Sequence, residues 1–481
     1  MMFSLRLSFI LVFSFFIVSF FDSIAQGATN SQLASQIEKT LKKYKIDKSE
    51  LGLWVGNSQS ETITSVNATR AFQPASIAKV ITAGVVLKLL GPSVKLKSKL
   101  VSNSPEKAGK LSGNLYFVGS GDPGFVSEKM WYLVNEFRRN NITEIEGDLV
   151  IDDSLFDDVR ISSSREDSRV DRAYDAPVGA ASFNWNSVNV FVRPTRPGEK
   201  AQVTIDPESE YIELVNNAKT TNGGDCQVNV ERTRSSKIGD MIRVSGSISK
   251  DCPEKVIYKN ITNPPIWLGF NLKSFLLQRG IKVGGTVKTG KAPNGARELA
   301  FVESEPLRLQ VENMMKFSNN YIAEMLTKLL AAQTKSPASL DQGIKVIQSE
   351  LVQLGFSKAE IRFENPSGLT LENAISPSAL GRFLAQTQKD FSTFAEFLSS
   401  FPVAGVDGTL KSRLNGFRRQ VRAKTGLMKN AGIVSLAGYM KTQSDDELTF
   451  VLMYNHRKSI SDVSRVWQCF DDIIADILKA S

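Results

Sequence analysis

The chain has 481 residues, 42% hydrophobic and 23% charged, with a formal net charge of +9. This is ordinary globular composition, long enough for two to four domains and for large buried cores. Its Lys and Arg are scattered rather than run together, which fits a solvated basic surface, or weak attraction to an anionic wall or membrane surface, better than a nucleic-acid groove. His456 is the single histidine and no pair of the three cysteines has ligand spacing, which argues against a metal centre.

In chain order, Arg6 precedes an apolar run over residues 7–21, and Ser23-Ile24-Ala25 offers small residues for cleavage. This reads as a signal peptide cut near Ala25. The run is short for a membrane span and no second apolar stretch follows it, so the mature chain is expected to be exported, periplasmic and without an integral membrane span. No cysteine lies near the cut, which argues against a lipid anchor.

Leu33, Ile37, Leu41 and Tyr44 recur at helical spacing, and residues 51–55 and 62–66 read as strands. Residues 73–87 then predict a helix buried on nearly every side, with Pro74 ahead of it and Gly91-Pro92 ending it. From about Val94 the texture becomes short strands and turns, with strands expected at 113–118, 148–151 and 180–192 and onward to Val287. Cys226 and Cys252 flank strand-like segments in this β-rich region, and an oxidising compartment favours their bond.

Helices return from about Arg297, at 307–317 and 321–332, interrupted by Ser318-Asn319-Asn320, whose short polar side chains compete with helical bonding. Another helix is expected at 342–354. Residues 421–425, 433–440 and 448–454 read as strands, the last two forming a hairpin. A closing amphipathic helix carries Val463, Val466, Phe470, Ile473, Ile474 and Ile477, with Cys469 expected as a buried free thiol. The predicted organisation is one α/β (α+β) domain in two parts, 26–95 and 300–481, with a β-rich insertion at 96–299.

Ser76 and Lys79 share a helix face, their Cβ atoms roughly 5–6 Å apart. A serine hydroxyl becomes a nucleophile when a base takes its proton, so Lys79 must be neutral to serve. Bringing a lysine from pKa about 10.4 to 7 takes roughly 4–5 kcal/mol of differential interaction, which burial or a neighbouring cation supplies. The same spacing at Ser104/Lys107 and Ser247/Lys250 falls in what read as surface loops.

Ser-x-x-Lys, Ser-x-Asn and Lys-Thr-Gly in that order form the motif set of penicillin-binding proteins. Here they are Ser76 to Lys79, Ser318-Asn319-Asn320 and Lys424-Thr425-Gly426. A second Lys-Thr-Gly at Lys288 breaks the order. Gly285 to Lys291 nearly spells a phosphate loop but has Ala292 where a Mg²⁺-binding hydroxyl belongs, so no nucleotide cofactor is expected.

With these motifs, and with Gly119-Ser120-Gly121-Asp122-Pro123, Ala181 to Asn186, Phe317 to Leu326, Pro402 to Leu410 and Ser435 to Tyr439, the mature chain resembles the class C low-molecular-mass penicillin-binding proteins. These are D-alanyl-D-alanine carboxypeptidases/endopeptidases of the penicillin-binding protein 4 type. The resemblance implies a serine β-lactamase/DD-peptidase-like domain, helices on an antiparallel sheet, interrupted by an insertion. It implies a penicillin-sensitive DD-peptidase acting on peptidoglycan stem peptides, with β-lactams as inhibitors and no metal or other cofactor. Oligomeric state, monomer or homodimer, is left open.

Carried over by resemblance, Ser76 is the acylated nucleophile and Lys79 its base. Ser318 and Lys424 relay a proton to the leaving amine and help activate the deacylating water. Asn320 hydrogen-bonds the peptide, Thr425, supported by the Lys424 charge, binds the terminal carboxylate, and Gly426 completes that binding strand. The backbone N–H groups of Ser76 and Leu427 form the oxyanion hole.

Two departures stand out. Leu427 replaces the Thr or Ser that usually follows Lys-Thr-Gly, removing a hydroxyl for the substrate carboxylate. Asn365-Pro366-Ser367-Gly368-Leu369-Thr370 stands where the family more often shows Asp-Gly-Ser-Gly-Leu-Ser. The alternatives are a catalytically weak, wall-sensing protein that keeps the cleft, or a β-lactamase, which the inserted region disfavours. Trp185, Trp267 and Trp467 are expected in cores, and Asp122, Asp152 and Asp153 as turn or cap residues.

Overall fold

The computed structural model describes residues 32–163, 172–235 and 238–480. The expected signal peptide lies outside them. Among the described residues no helix is long and apolar enough to cross a membrane.

Helix α1 spans 32–43 and is followed by strands β1 (Leu51–Asn57) and β2 (Thr62–Val66). A 3₁₀ turn, Ala75–Ile77, runs directly into helix α2 (Ala78–Leu90). The β-rich stretch that follows holds two helices the short-strand texture concealed, α3 (Ser127–Arg138) and α4 (Pro264–Gln278), besides the long strands β3 (Cys226–Arg234) and β4 (Asp240–Ser249). Then come α5 (Leu307–Lys316), α6 (Asn320–Ala332), α7 (Leu340–Gln353), α8 (Pro377–Gln388) and α9 (Phe394–Ser400). Strands β5 (Val421–Met428), β6 (Ile433–Lys441) and β7 (Glu447–Asn455) and helix α10 (Val463–Ala480) close the chain.

These elements form two compact units. The first contains the described residues up to Ala78, Gly355–Phe363, and those from Leu371 onward. Its centre is an antiparallel five-stranded sheet in the order β2-β1-β7-β6-β5. Strand periodicity sends Leu51, Leu53 and Val55 into one core with Leu33, Ile37 and Leu41 of α1 and Phe470, Ile473 and Ile477 of α10. Trp54, one residue out of phase, points the other way, where Gly381 of α8 leaves room for its ring. The sheet is thus covered on both faces, which is why β6 and β7 read as unbroken apolar runs.

The second unit contains Lys79–Leu354 and Glu364–Thr370. A mixed five-stranded sheet, in which Leu115–Val118 pairs in parallel with Leu149–Asp152, packs against α3 and α4. The phenylalanines Phe117, Phe125 and Phe183 and Trp267 form a chain of ring contacts through this core. Cys226 and Cys252 are bonded, with Cα atoms 5.8 Å apart, and Cys469 in the first unit is a buried free thiol, both as expected. The fold is therefore mixed α/β, with the predicted helix-on-antiparallel-sheet arrangement in the first unit.

Several expectations need correction. Residues 180–186 are loop and 3₁₀ turn, and the strand there begins only at Ser187. Trp185 is 42% exposed rather than in a core, because Asn184, Trp185 and Asn186 all adopt positive φ and turn the indole outward. Trp267 is fully buried and Trp467 packs at the edge of its core. Ser247 belongs to β4, not to a loop, so its spacing to Lys250 has no helical meaning.

Asp122 is the turn residue its motif suggested: its Oδ1 accepts the Gly124 N–H at 2.8 Å. Burial pushes its carboxyl up to about 6 from an ordinary 3.8. The fold therefore holds a proton that the unfolded chain releases earlier, so Asp122 costs stability above this range and ceases to do so as pH falls toward 3.8. Asp122→Asn keeps the acceptor for Gly124. It is expected to raise unfolding free energy by about 2–3 kcal/mol at pH 8, with the gain fading toward pH 4, as measured by urea denaturation at both values.

Candidate active site

The residues singled out in the sequence fall on both units and are described on each in turn. On the first unit, Ser76 sits in the 3₁₀ turn that precedes α2, next to Ala75, whose φ is +48°. A left-handed alanine costs about 1–2 kcal/mol and is held here by its surroundings. Gln73 and Asn455 exchange hydrogen bonds, N–H to Oδ1 at 2.7 Å and Nδ2 to O at 3.1 Å, and Ser435 Oγ donates to the Pro74 carbonyl at 2.5 Å.

Strand β5 lies at the edge of its sheet, bonded on one side to β6. Ala423 N–H points to the other side, donating to Pro402 O at 2.9 Å. Antiparallel ladders alternate, so the N–H groups of Thr425 and Leu427 face away from β6 as well. Gly426, between them, approaches the backbone at Ser76: a Cβ there would lie 2.8 Å from Pro74 O and 3.1 Å from Ser76 N, and would overlap Ser435 Oγ. Lys424 is buried, with Nζ donating to Thr425 O at 2.7 Å. Thr425 donates to Thr409 Oγ1 at 2.8 Å, and Leu427 is 42% exposed. His456 pairs with Glu50 at 2.7 Å.

On the second unit, Lys79 is completely buried in the first turn of α2. Its Nζ donates to Asn320 Oδ1 at 2.6 Å and to Ser367 O at 2.5 Å. Ser318 breaks the run between α5 and α6 at φ +56°, and Asn319 caps α6 by accepting the Ile322 N–H at 3.1 Å. Asn320 is therefore the first residue of α6, fixed in position by the cap. Its Nδ2 donates to Asp175 Oδ1 at 2.7 Å, and Asp175 is 1% exposed.

The 364–370 segment holds the Ser367 carbonyl in place. Asn365 Oδ1 accepts from both the Ser367 N–H at 2.9 Å and its hydroxyl at 2.6 Å, while Thr82 Oγ1 donates to Pro366 O at 2.8 Å. The departure at Asn365–Thr370 thus supplies an acceptor for Lys79.

The structure joins Lys79 with Asn320 on one unit, and Ser76 with Gly426 on the other. Sequence reasoning missed Asp175, the Ser367 carbonyl, Thr409 and Ser435. Thr409 and Ser435 stood within strings that carried the resemblance, whereas nothing in the sequence marked Asp175. The decoy Lys288 is an exposed edge-strand residue paired with Asp148 at 2.5 Å.

The chain thus carries, on its two units, the Ser-x-x-Lys, Ser-x-Asn and Lys-Thr-Gly motifs of the penicillin-binding class of serine peptidases. The profile of the D-Ala-D-Ala carboxypeptidase 3 (S13) family matches residues 33–473, and the chain belongs to that family. It is 29% identical over 451 residues to the D-alanyl-D-alanine carboxypeptidase of Actinomadura sp. (strain R39), covering 90% of this chain and 82% of that protein. The crystal structure of penicillin binding protein 4 from Haemophilus influenzae superposes with a TM-score of 0.76 at 24% identity, over 89% of this chain and 96% of that one. A predatory peptidoglycan endopeptidase from Bdellovibrio bacteriovorus shares the fold at a TM-score of 0.53 and 18% identity, over 89% and 92%.

Because Gly426 admits no side chain against Ser76 N, Gly426→Ala is expected to slow acylation by penicillin by about 10²-fold. Labelling kinetics test this, with the thermal midpoint recorded alongside to separate misplacement from unfolding.

Proposed function

We propose that the chain is an exported, periplasmic serine DD-peptidase that hydrolyses D-alanyl bonds of peptidoglycan stem peptides through an acyl-enzyme on Ser76. Ser76 Oγ attacks the carbonyl carbon as its proton passes to Lys79. The oxyanion that forms is bound by the N–H groups of Ser76 and Leu427. Collapse breaks the C–N bond, and the leaving amine takes a proton through Ser318 and Lys424. Water then hydrolyses the ester, restoring the Ser76 hydroxyl. Asn320 holds the peptide, and Thr425 with the neighbouring Gly426 receives the terminal carboxylate. In this reading residues 96–299 are an insertion within the catalytic domain.

The observation that carries the reading is Lys79: a buried amine on the Ser-x-x-Lys helix, hydrogen-bonded to the asparagine of the second motif. The outward N–H of Leu427 supports the oxyanion role, which any side chain at 427 permits. Carboxypeptidase and endopeptidase action use the same acylation step. The relatives include proteins named for each.

A second reading, a slow enzyme that senses the wall, draws on exposed Leu427 in place of a hydroxyl. A hydrogen bond to a charge is worth about 1.5–3 kcal/mol, so Leu427→Thr is expected to raise release of terminal D-alanine at least about tenfold, measured as kcat/KM on a pentapeptide. An unchanged rate would remove the carboxylate argument.

The central test incubates the native chain and Ser76→Ala with a fluorescent penicillin, a pentapeptide muropeptide and a cross-linked dimer. Labelling of the native chain alone, with D-alanine release or dimer cleavage, is the expected result. Labelling without turnover would favour the sensing protein, and no labelling would overturn both.

A further inference from the structure

We propose that Asp175 is a positioning residue that locks the orientation of the Asn320 side-chain amide, and thereby keeps Lys79 able to act as a base. The inference rests on the peptidase reading above. Asn320 lies between two groups of opposite hydrogen-bonding character. Its Oδ1 accepts from Lys79 Nζ at 2.6 Å and its Nδ2 donates to Asp175 Oδ1 at 2.7 Å. All three residues are buried, at 0%, 6% and 1% exposure for Lys79, Asn320 and Asp175.

A neutral lysine amine has two N–H bonds and one lone pair. The Asn320 and Ser367 carbonyl oxygens accept from Nζ, which in a neutral amine uses both N–H bonds and leaves the lone pair as the acceptor. The carbonyl and NH₂ ends of an asparagine amide are nearly the same size, and a half-turn about its last bond swaps them. Swapped, Asn320 would donate an N–H to Lys79 and occupy the lone pair that should receive the serine proton. Asp175 forbids this, because the swap would set the Asn320 carbonyl against a carboxylate oxygen, acceptor against acceptor, away from water. In a buried site that conflict is at its most costly.

Asp175 comes from the 3₁₀ turn Ala173–Asp175, well outside the three motifs. Asn260 Nδ2 donates to its backbone carbonyl at 3.4 Å, which ties that turn to the strand Lys255–Asn260. A residue of the inserted segment thus sets the chemistry of the Ser-x-x-Lys lysine through one intermediate side chain.

The test is a double-mutant cycle on the rate of acylation by penicillin, in the full mature chain. Asp175→Asn preserves size but can face Asn320 with either end, so it removes the lock. It is expected to slow acylation about tenfold or more while the thermal midpoint stays near that of the native chain. In an Asn320→Ala background, where there is no amide to orient, the same change is expected to have no further effect. Should Asp175→Asn not fold, Asp175→Ala enters the same cycle.

Native-like acylation by the Asp175 variant overturns the proposal. So does an equal loss in both backgrounds, which would mark Asp175 as a support acting independently of Asn320. A native chain that takes no penicillin overturns the peptidase reading and this inference together, whereas a labelled native chain with an additive cycle overturns only the inference.

Discussion

An amine taken completely out of water must find hydrogen-bond acceptors, and the surroundings of Lys79 are arranged to supply them. Burying a polar group without a partner costs several kcal/mol, and burying an isolated charge costs more. The sequence meets this with a helix apolar on nearly every side, a capped asparagine at the start of α6 and a backbone carbonyl from the 364–370 segment. Each of these is itself fixed: Asn320 by the Asn319 cap and Asp175, the Ser367 carbonyl by Asn365 and Thr82. Remote stretches of the chain converge because one nitrogen needs oxygen atoms in defined directions. This demand also explains why the Asn365–Thr370 departure is tolerable. Lys79 requires a carbonyl there, and any residue can present a carbonyl.

What could be read from sequence follows from what leaves a periodic trace. The sheet of the first unit was legible because β6 and β7 are covered on both faces and α10 shows a single apolar stripe, so burial dictated residue type over long runs. The break before α6 was legible because Ser318, Asn319 and Asn320 favour local bonding over helix. Over residues 96–299 the traces are weaker. Helix α4 is buried over most of its surface and has no polar face to set a period, so its apolar text passed for strands. Trp185 reads as a core residue by type alone, while the positive φ of its turn, which exposes it, leaves only asparagines as a clue. Asp175 was invisible for a related reason. A lone carboxylate is common in loops, and only the fold places this one against Asn320.

The contacts around Lys79 and those along β5 differ in how much they depend on side chains, and this bears on what the chain can vary. Around Lys79 nearly every contact is made by a particular side chain or a pinned carbonyl, and the substitutions that preserve it are few. Along β5 the corresponding features are backbone: the absence of a side chain at Gly426, which lies against Ser76 N, and the N–H of Leu427, which points away from β6. Replacing the customary hydroxyl residue by Leu427 therefore keeps a backbone N–H directed away from β6 and changes only the exposed side chain beside it.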